Sequence, residues 1–179
     1  MKRIAIDGSQ STGKTTAFEQ IKSLLYGNRD MHFIEETAGV VAKHKMNIKT
    51  DRDWEILLND RERYKLFVSL LVAKQIEEET AISFISDSSL YRIYAYAMEN
   101  GVNVTDAELS KVKYDLVLYC PIEFEFVHNE FRSIHLRENV DERLLSLIRK
   151  YHKGKFLEIK GSIEARQKVI STIVSTELR

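Results

Sequence analysis

The chain alternates short apolar runs with longer stretches of helical periodicity. Five runs read as strands: KRIAID (Lys2–Asp7), MHFIE (Met31–Glu35), ISFIS (Ile82–Ser86), YDLVLY (Tyr114–Tyr119) and KFLEI (Lys155–Ile159). They lack strict polar alternation and are rich in β-branched and aromatic residues, as expected of strands covered on both faces. Helical patterns lie between them. Lys14–Tyr26 stops at Gly27, a plausible C-cap. Asp51 to about Glu79 carries Trp54, Leu57, Leu58, Tyr64, Phe67, Leu70 and Leu71 at helical spacing, with a break expected near Asn59. Leu90–Glu99 ends before Asn100-Gly101, and Thr105–Val112 opens on TDAE, the pattern of a capping box. Glu138–Tyr151 and Ser162–Glu177 complete the set. Strand and helix in alternation predict an α/β fold with a parallel sheet between helices.

Composition narrows the class. At 179 residues, 44% apolar and 30% charged, the sequence suits one globular domain spanning 1–179. Lys+Arg and Asp+Glu both number 27, which removes the general electrostatic case for nucleic acid or an anionic membrane. A single cysteine, Cys120, excludes an intramolecular disulfide and a cysteine zinc cluster. The five histidines show no metal-ligand spacing. No apolar run approaches the ~18 residues of a membrane span, and the charged start lacks a signal-peptide core, so a cytoplasmic location is expected.

The chemistry begins at Gly8-Ser9-Gln10-Ser11-Thr12-Gly13-Lys14-Thr15, which fits GxxxxGK[ST] between a strand and a helix. By average residue frequencies the pattern arises by chance in roughly 1% or fewer of chains this long. Glycines at both ends let the backbone curl until successive N–H groups face phosphate oxygens. The helix dipole reinforces the attraction. Lys14 reaches the β- and γ-phosphates, and the Thr15 hydroxyl suits Mg²⁺. Gly8 to Thr16 are therefore the expected nucleotide-binding residues, with ATP and Mg²⁺ as cofactors. A guanine-reading N/TKxD sequence is missing, which disfavours a GTP switch. Motor ATPases carry long additional domains for which this chain has no room.

With this loop, strand order and size, the sequence resembles the P-loop nucleoside and nucleotide kinases, of the thymidylate-kinase and nicotinamide-riboside-kinase kind. The resemblance covers nearly the whole chain and implies strand order 2-3-1-4-5. It implies transfer of the γ-phosphate of MgATP to a nucleoside or nucleoside monophosphate.

Further segments carry the likeness. IAIDG (Ile4–Gly8) is similar to the family opening, with acidic Asp7 before the loop. FIEETAG (Phe33–Gly39) resembles the segment lining the acceptor pocket. It suggests Glu36, with Glu35 second, for acceptor contact or hydroxyl activation; Gly39 stands where related kinases have arginine. ISFISDSS (Ile82–Ser89) resembles the third strand ending in Asp, so Asp87 is expected at Mg²⁺ or the acceptor. Ser88 replaces the usual arginine, and Arg92 lies one helical turn on. Tyr91 and Tyr94 are aromatic candidates for stacking on an acceptor base, with Tyr91 and Arg92 assigned to substrate binding. The segment from about 122 to 153 resembles a small helical lid, and His128–Lys155 holds seven Lys/Arg against four Asp/Glu. Arg132 and Arg137 are its candidate catalytic arginines. KGSIEARQKV (Lys160–Val169) resembles the adenine-contacting loop, with Gly161 and Ser162 as candidates. Expected partners are small molecules, neither nucleic acid nor membrane, with a homodimer left open. Two alternatives remain: a P-loop ATPase or regulatory nucleotide-binding module, and a nucleic-acid end kinase.

Overall fold

The computed structural model describes residues 2–80, 82–126 and 136–178. Five strands form one parallel sheet: β1 (Arg3–Asp7), β2 (His32–Ile34), β3 (Phe84–Ser86), β4 (Leu116–Tyr119) and β5 (Lys155–Glu158). The order is β2-β3-β1-β4-β5, as the resemblance implied. Among the described residues, eight α-helices connect and follow them: α1 (Lys14–Leu24), α2 (Thr37–Lys45), α3 (Asp51–Asn59), α4 (Arg61–Glu78), α5 (Leu90–Glu99), α6 (Asp106–Leu109), α7 (Arg137–Tyr151) and α8 (Ile163–Ile173). A π-helical turn, Val174–Leu178, extends α8.

The central strands feed two cores by simple alternation of side chains. Ile4, Ile6, Leu116 and Leu118 pack with Phe18 and Ile21 of α1 and Ile170 and Ile173 of α8. Ala5, Val117 and Tyr119 face the opposite layer, built from α2, α4, α5 and α7. Edge strand β5 departs from the expectation of two covered faces, since Lys155, Phe156 and Glu158 are exposed. Its apolar pattern reflects one-sided contact with β4.

Helix boundaries follow capping chemistry. The stretch after Asp51 does break beyond Asn59: Asp60 ends α3 and caps α4 by accepting from the Arg63 N–H. Thr50 and Asp53 form a reciprocal capping box at the start of α3. Thr105 and Glu108 form the one predicted from TDAE. That helix is much shorter than expected, closing at Leu109 rather than Val112. The range expected to hold the lid is divided. Residues 127–135, with Arg132, lie outside the described residues. Helix α7 belongs to the body, because Val140, Leu144, Leu147 and Ile148 are buried in the α4/α5 core.

Gly154, ahead of β5, sits where the chain passes under β4. A Cβ there would lie 2.5 Å from the carbonyl oxygens of both Tyr114 and Asp115. Both are backbone atoms just ahead of β4, with Asp115 hydrogen-bonded to Arg3 and Lys155, so neither can swing aside as a side chain would. Gly154→Ala is expected to destabilise the fold by roughly 1–3 kcal/mol, the usual scale of overpacking. A chemical denaturation curve checks this, with an unchanged midpoint as the contrary result.

Candidate functional site

All the chemistry gathers at the carboxyl ends of the strands, where open α/β sheets bind ligands. The loop leaves β1 at Gly8, whose φ is 143°. An added Cβ would stand 2.3 Å from the Cys120 carbonyl oxygen at the end of β4. Only glycine permits that approach. Gly13, at φ 86°, then turns the chain into α1.

Two arginines hold the loop from outside. Arg137 at the start of α7 donates to the carbonyls of Gln10 (3.0 Å) and Ser11 (3.2 Å), and also to Phe124 (2.7 Å). Arg166 on α8 donates to the Thr12 carbonyl at 2.6 Å and pairs with Glu123 at 2.8 Å. Its guanidinium lies 4.4 Å from the centre of the Phe124 ring. A planar trans peptide points its N–H opposite to its C=O. Fixing these carbonyls outward therefore turns the N–H groups of Ser11, Thr12 and Gly13 to the other side, as an anion-binding nest requires. One turn beyond Arg137, Asp141 accepts from the Ser9 N–H (3.2 Å) and the Tyr119 hydroxyl (2.5 Å).

Lys14 is buried and donates to the Ser9 carbonyl at 2.7 Å. Burial, and then Arg92, pull its pKa down to about 8. An anion in the nest would favour the charged form and raise the pKa again. The Thr15 hydroxyl donates to Asp87 Oδ2 at 2.8 Å, while Asp87 Oδ1 is buried with no hydrogen bond among the described residues. Burial raises the pKa of Asp87, partly opposed by Thr15 and Lys14. An orphaned carboxylate oxygen beside a threonine hydroxyl fits the oxygen-rich coordination of Mg²⁺.

Two cavities flank Lys14 and Thr15. One, about 340 Å³, runs along the loop between Phe124 and the α8 residues Ile163, Arg166 and Ile170. The other, about 210 Å³, lies towards α2–α5. It combines Lys14, Glu36 and Arg92 with the aromatic group Trp54, Tyr64, Phe67 and Tyr96. Trp54 meets Phe67 edge to face, with ring centres 5.4 Å apart. Arg92 pairs with Glu36 at 2.6 Å and lies over the Tyr96 ring, 5.1 Å from its centre. Burial opposes the Arg92 charge, but Glu36, Tyr96 and Asp87 together outweigh it and leave the pKa raised.

The predicted residues are thus partly reunited. Glu36, Asp87 and Arg92 converge with the loop, whereas Glu35 turns outward to Lys22. Tyr91 is a correction. It is fully buried, donates to the Val112 carbonyl and packs on Tyr114, with no place in the cavity. Tyr94 is also absorbed by the core; the helix turns Tyr96 to the cavity instead. Asp7 is committed elsewhere, accepting from the Ser89 N–H and hydroxyl, and burial raises its pKa. Arg137 contacts the loop backbone rather than an open space. Ser162 caps α8, and the Gly161 N–H goes to Glu123.

Sequence reading passed over Gln75 and Arg166. From α4, the Gln75 amide accepts from Thr37 (3.0 Å), the residue after Glu36, and donates to Glu79 and Ser86 (both 2.9 Å). Ser86 in turn donates to the Ser88 carbonyl at 2.6 Å. One amide thus joins the backbone neighbours of Glu36 and Asp87. No motif marks it, because its partners are brought together only by the fold.

Fold, loop and flanking cavities define a P-loop NTPase, a nucleotide-binding domain. Residues 3–166 match the family model for the AAA domain, and the chain belongs to that family. No curated protein matches the chain. The family result supports the broader class of nucleotide-binding, ATPase-like P-loop domains. No helix among the described residues is long and apolar enough to cross a membrane.

Replacing Gln75 by leucine takes the acceptor from the Thr37 hydroxyl and one donor each from Glu79 and Ser86, which keep the Tyr114 hydroxyl and the Ser88 carbonyl. Gln75→Leu is expected to lower stability by about 1–3 kcal/mol. Gln75→Glu keeps the Thr37 bond yet sets a second carboxylate beside Glu79. Urea titration of both should give less stable proteins than the parent; equal midpoints would remove Gln75 from this role.

Proposed function

We propose that this protein is an ATP-dependent phosphotransferase that moves the γ-phosphate of MgATP to a nucleoside or nucleoside monophosphate. One observation carries the reading: two separate cavities meet at Lys14 and Thr15. The cavity between Phe124 and α8 suits the donor base, and the loop suits its phosphates. The aromatic cavity suits a second, planar molecule on the other side of the reacting phosphate. A nucleotide hydrolase needs only water there.

The chemistry assigned to each residue follows from charge. Lys14 and the loop N–H groups neutralise the phosphate oxygens as the γ-phosphoryl group detaches. Thr15 and Asp87 would hold Mg²⁺, which would offset the charge of the donor phosphates. Glu36 accepts the hydrogen bond of the acceptor hydroxyl and takes its proton. The new bond joins the acceptor oxygen to the γ-phosphorus, and the bond broken is that to the β–γ bridging oxygen, leaving ADP. Arg92 holds Glu36 in place. Arg137 supports the loop through its carbonyls, and Arg132 is the remaining candidate for a guanidinium that meets the transferred group directly.

The AAA-domain family membership favours a second reading, nucleotide hydrolysis without an acceptor. Product analysis separates the two. ADP that forms only when a nucleoside or nucleoside monophosphate is added, with matching phosphorylated product, supports the kinase; ADP formed equally without one supports the ATPase. Lys14→Ala should abolish phosphoryl transfer and leave the circular dichroism spectrum unchanged. Normal turnover in that variant would refute the loop assignment. Chelating divalent cations should likewise stop turnover, and added Mg²⁺ should restore it.

A further inference from the structure

Buried polar atoms rarely go without a hydrogen bond, since an unmet group costs about 1–3 kcal/mol. Among the described residues, side chains of the aromatic cavity supply three such atoms: Gln10 Oε1, Arg92 Nε and the Tyr96 hydroxyl. Gln10 and Arg92 are each only 9% exposed. The Tyr96 hydroxyl faces the Gln10 amide and Arg92 without a bond of ordinary geometry to either. Gln10 is a phosphate-loop residue, yet it lines the aromatic cavity and not the one along α8.

The three atoms have a definite polarity. Gln10 Oε1 accepts only, Arg92 Nε donates only, and a tyrosine hydroxyl does both. A complementary ligand must therefore both donate and accept. Hydroxyl groups do this; a dianionic phosphate only accepts, and would face the Gln10 carbonyl oxygen and the Glu36 carboxylate. Cations give the same answer. Among the described residues, Lys14 and Arg92 are the cationic ones lining the cavity. Lys14 reaches into the loop, and Arg92 is matched by Glu36 at 2.6 Å. Gly39 adds no charge to the α2 wall.

We propose that Gln10, Arg92 and Tyr96 form a reader for an unphosphorylated riboside: its sugar hydroxyls meet these three groups and its heterocycle packs among Trp54, Tyr64 and Phe67. This rests on the reading of the aromatic cavity as the acceptor site and selects the nucleoside over the nucleoside monophosphate. Tyr96 and Gln10 become specificity determinants. The Tyr96 ring supports Arg92 from one face while its hydroxyl reads the sugar.

The test is calorimetric titration of the full chain, loaded with Mg²⁺ and a non-hydrolysable ATP analogue. The ligands are ribosides of purine, pyrimidine and pyridine bases and the matching 5′-monophosphates. At least one riboside should bind ten-fold or more tighter than its monophosphate. Tyr96→Phe removes only the hydroxyl beside Gln10 and Arg92 and keeps the ring over the guanidinium, so the fold should hold. It should weaken that riboside about five- to ten-fold and leave the affinity for the ATP analogue unchanged. Monophosphates that bind as well as or better than ribosides overturn the proposal while sparing the kinase reading. So does a Tyr96→Phe variant with unaltered riboside affinity. If neither set of ligands binds, the acceptor-site reading fails and the proposal falls with it.

Discussion

The site depends on the outward fixing of three consecutive carbonyls. A phosphate loop is useful only if its peptide units all point one way, and a free chain has no reason to hold that arrangement. Here Arg137 grips the carbonyls of Gln10 and Ser11, and Arg166 grips that of Thr12. Both guanidinium groups come from helices remote in sequence. The loop's shape is thus a tertiary property, assembled when α7 and α8 dock on the sheet. Gly8 adds the complementary constraint, a contact with the Cys120 carbonyl too close for any side chain.

The aromatic cavity is built on the same plan, with supports behind the groups that line it. Arg92 stands on α5, pinned by Glu36 and by the Tyr96 ring. Behind them Gln75 ties α4 to Thr37 and to Ser86. A buried network of this kind restricts alternatives because each donor and acceptor has one place to go. Its further links, from Glu79 to Tyr114 and from Tyr114 to the Leu90 N–H, carry the same order to the start of α5.

Much of the fold was legible because strand and helix patterns report local burial. The five strands, the loop and the break near Asn59 followed from periodicity, glycine placement and capping residues. Helix α2 has little amphipathic signal of its own, so no periodicity marks it in the sequence. Residue orientation was harder to foresee. Tyr91 and Tyr96 share a helix and a residue type, and only the packing of α5 decides that the first enters the core and the second the cavity. The arginines posed the same difficulty: composition marked Arg137 as part of a basic segment, but its partners, backbone carbonyls 126 and 127 positions away, leave no trace in local sequence.

Ser88 follows Asp87 with φ at 140°, a conformation that a residue with a Cβ rarely adopts. The Ser86 hydroxyl bonds its carbonyl and the Arg92 guanidinium its hydroxyl, so the unfavourable torsion is sustained from both sides. Glycine at this position would relax the torsion but give up the hydroxyl that helps seat Arg92. Evolution or engineering towards a hardier protein would thus meet a conflict here: the substitution that eases the backbone also loosens the seating of Arg92 beside Glu36.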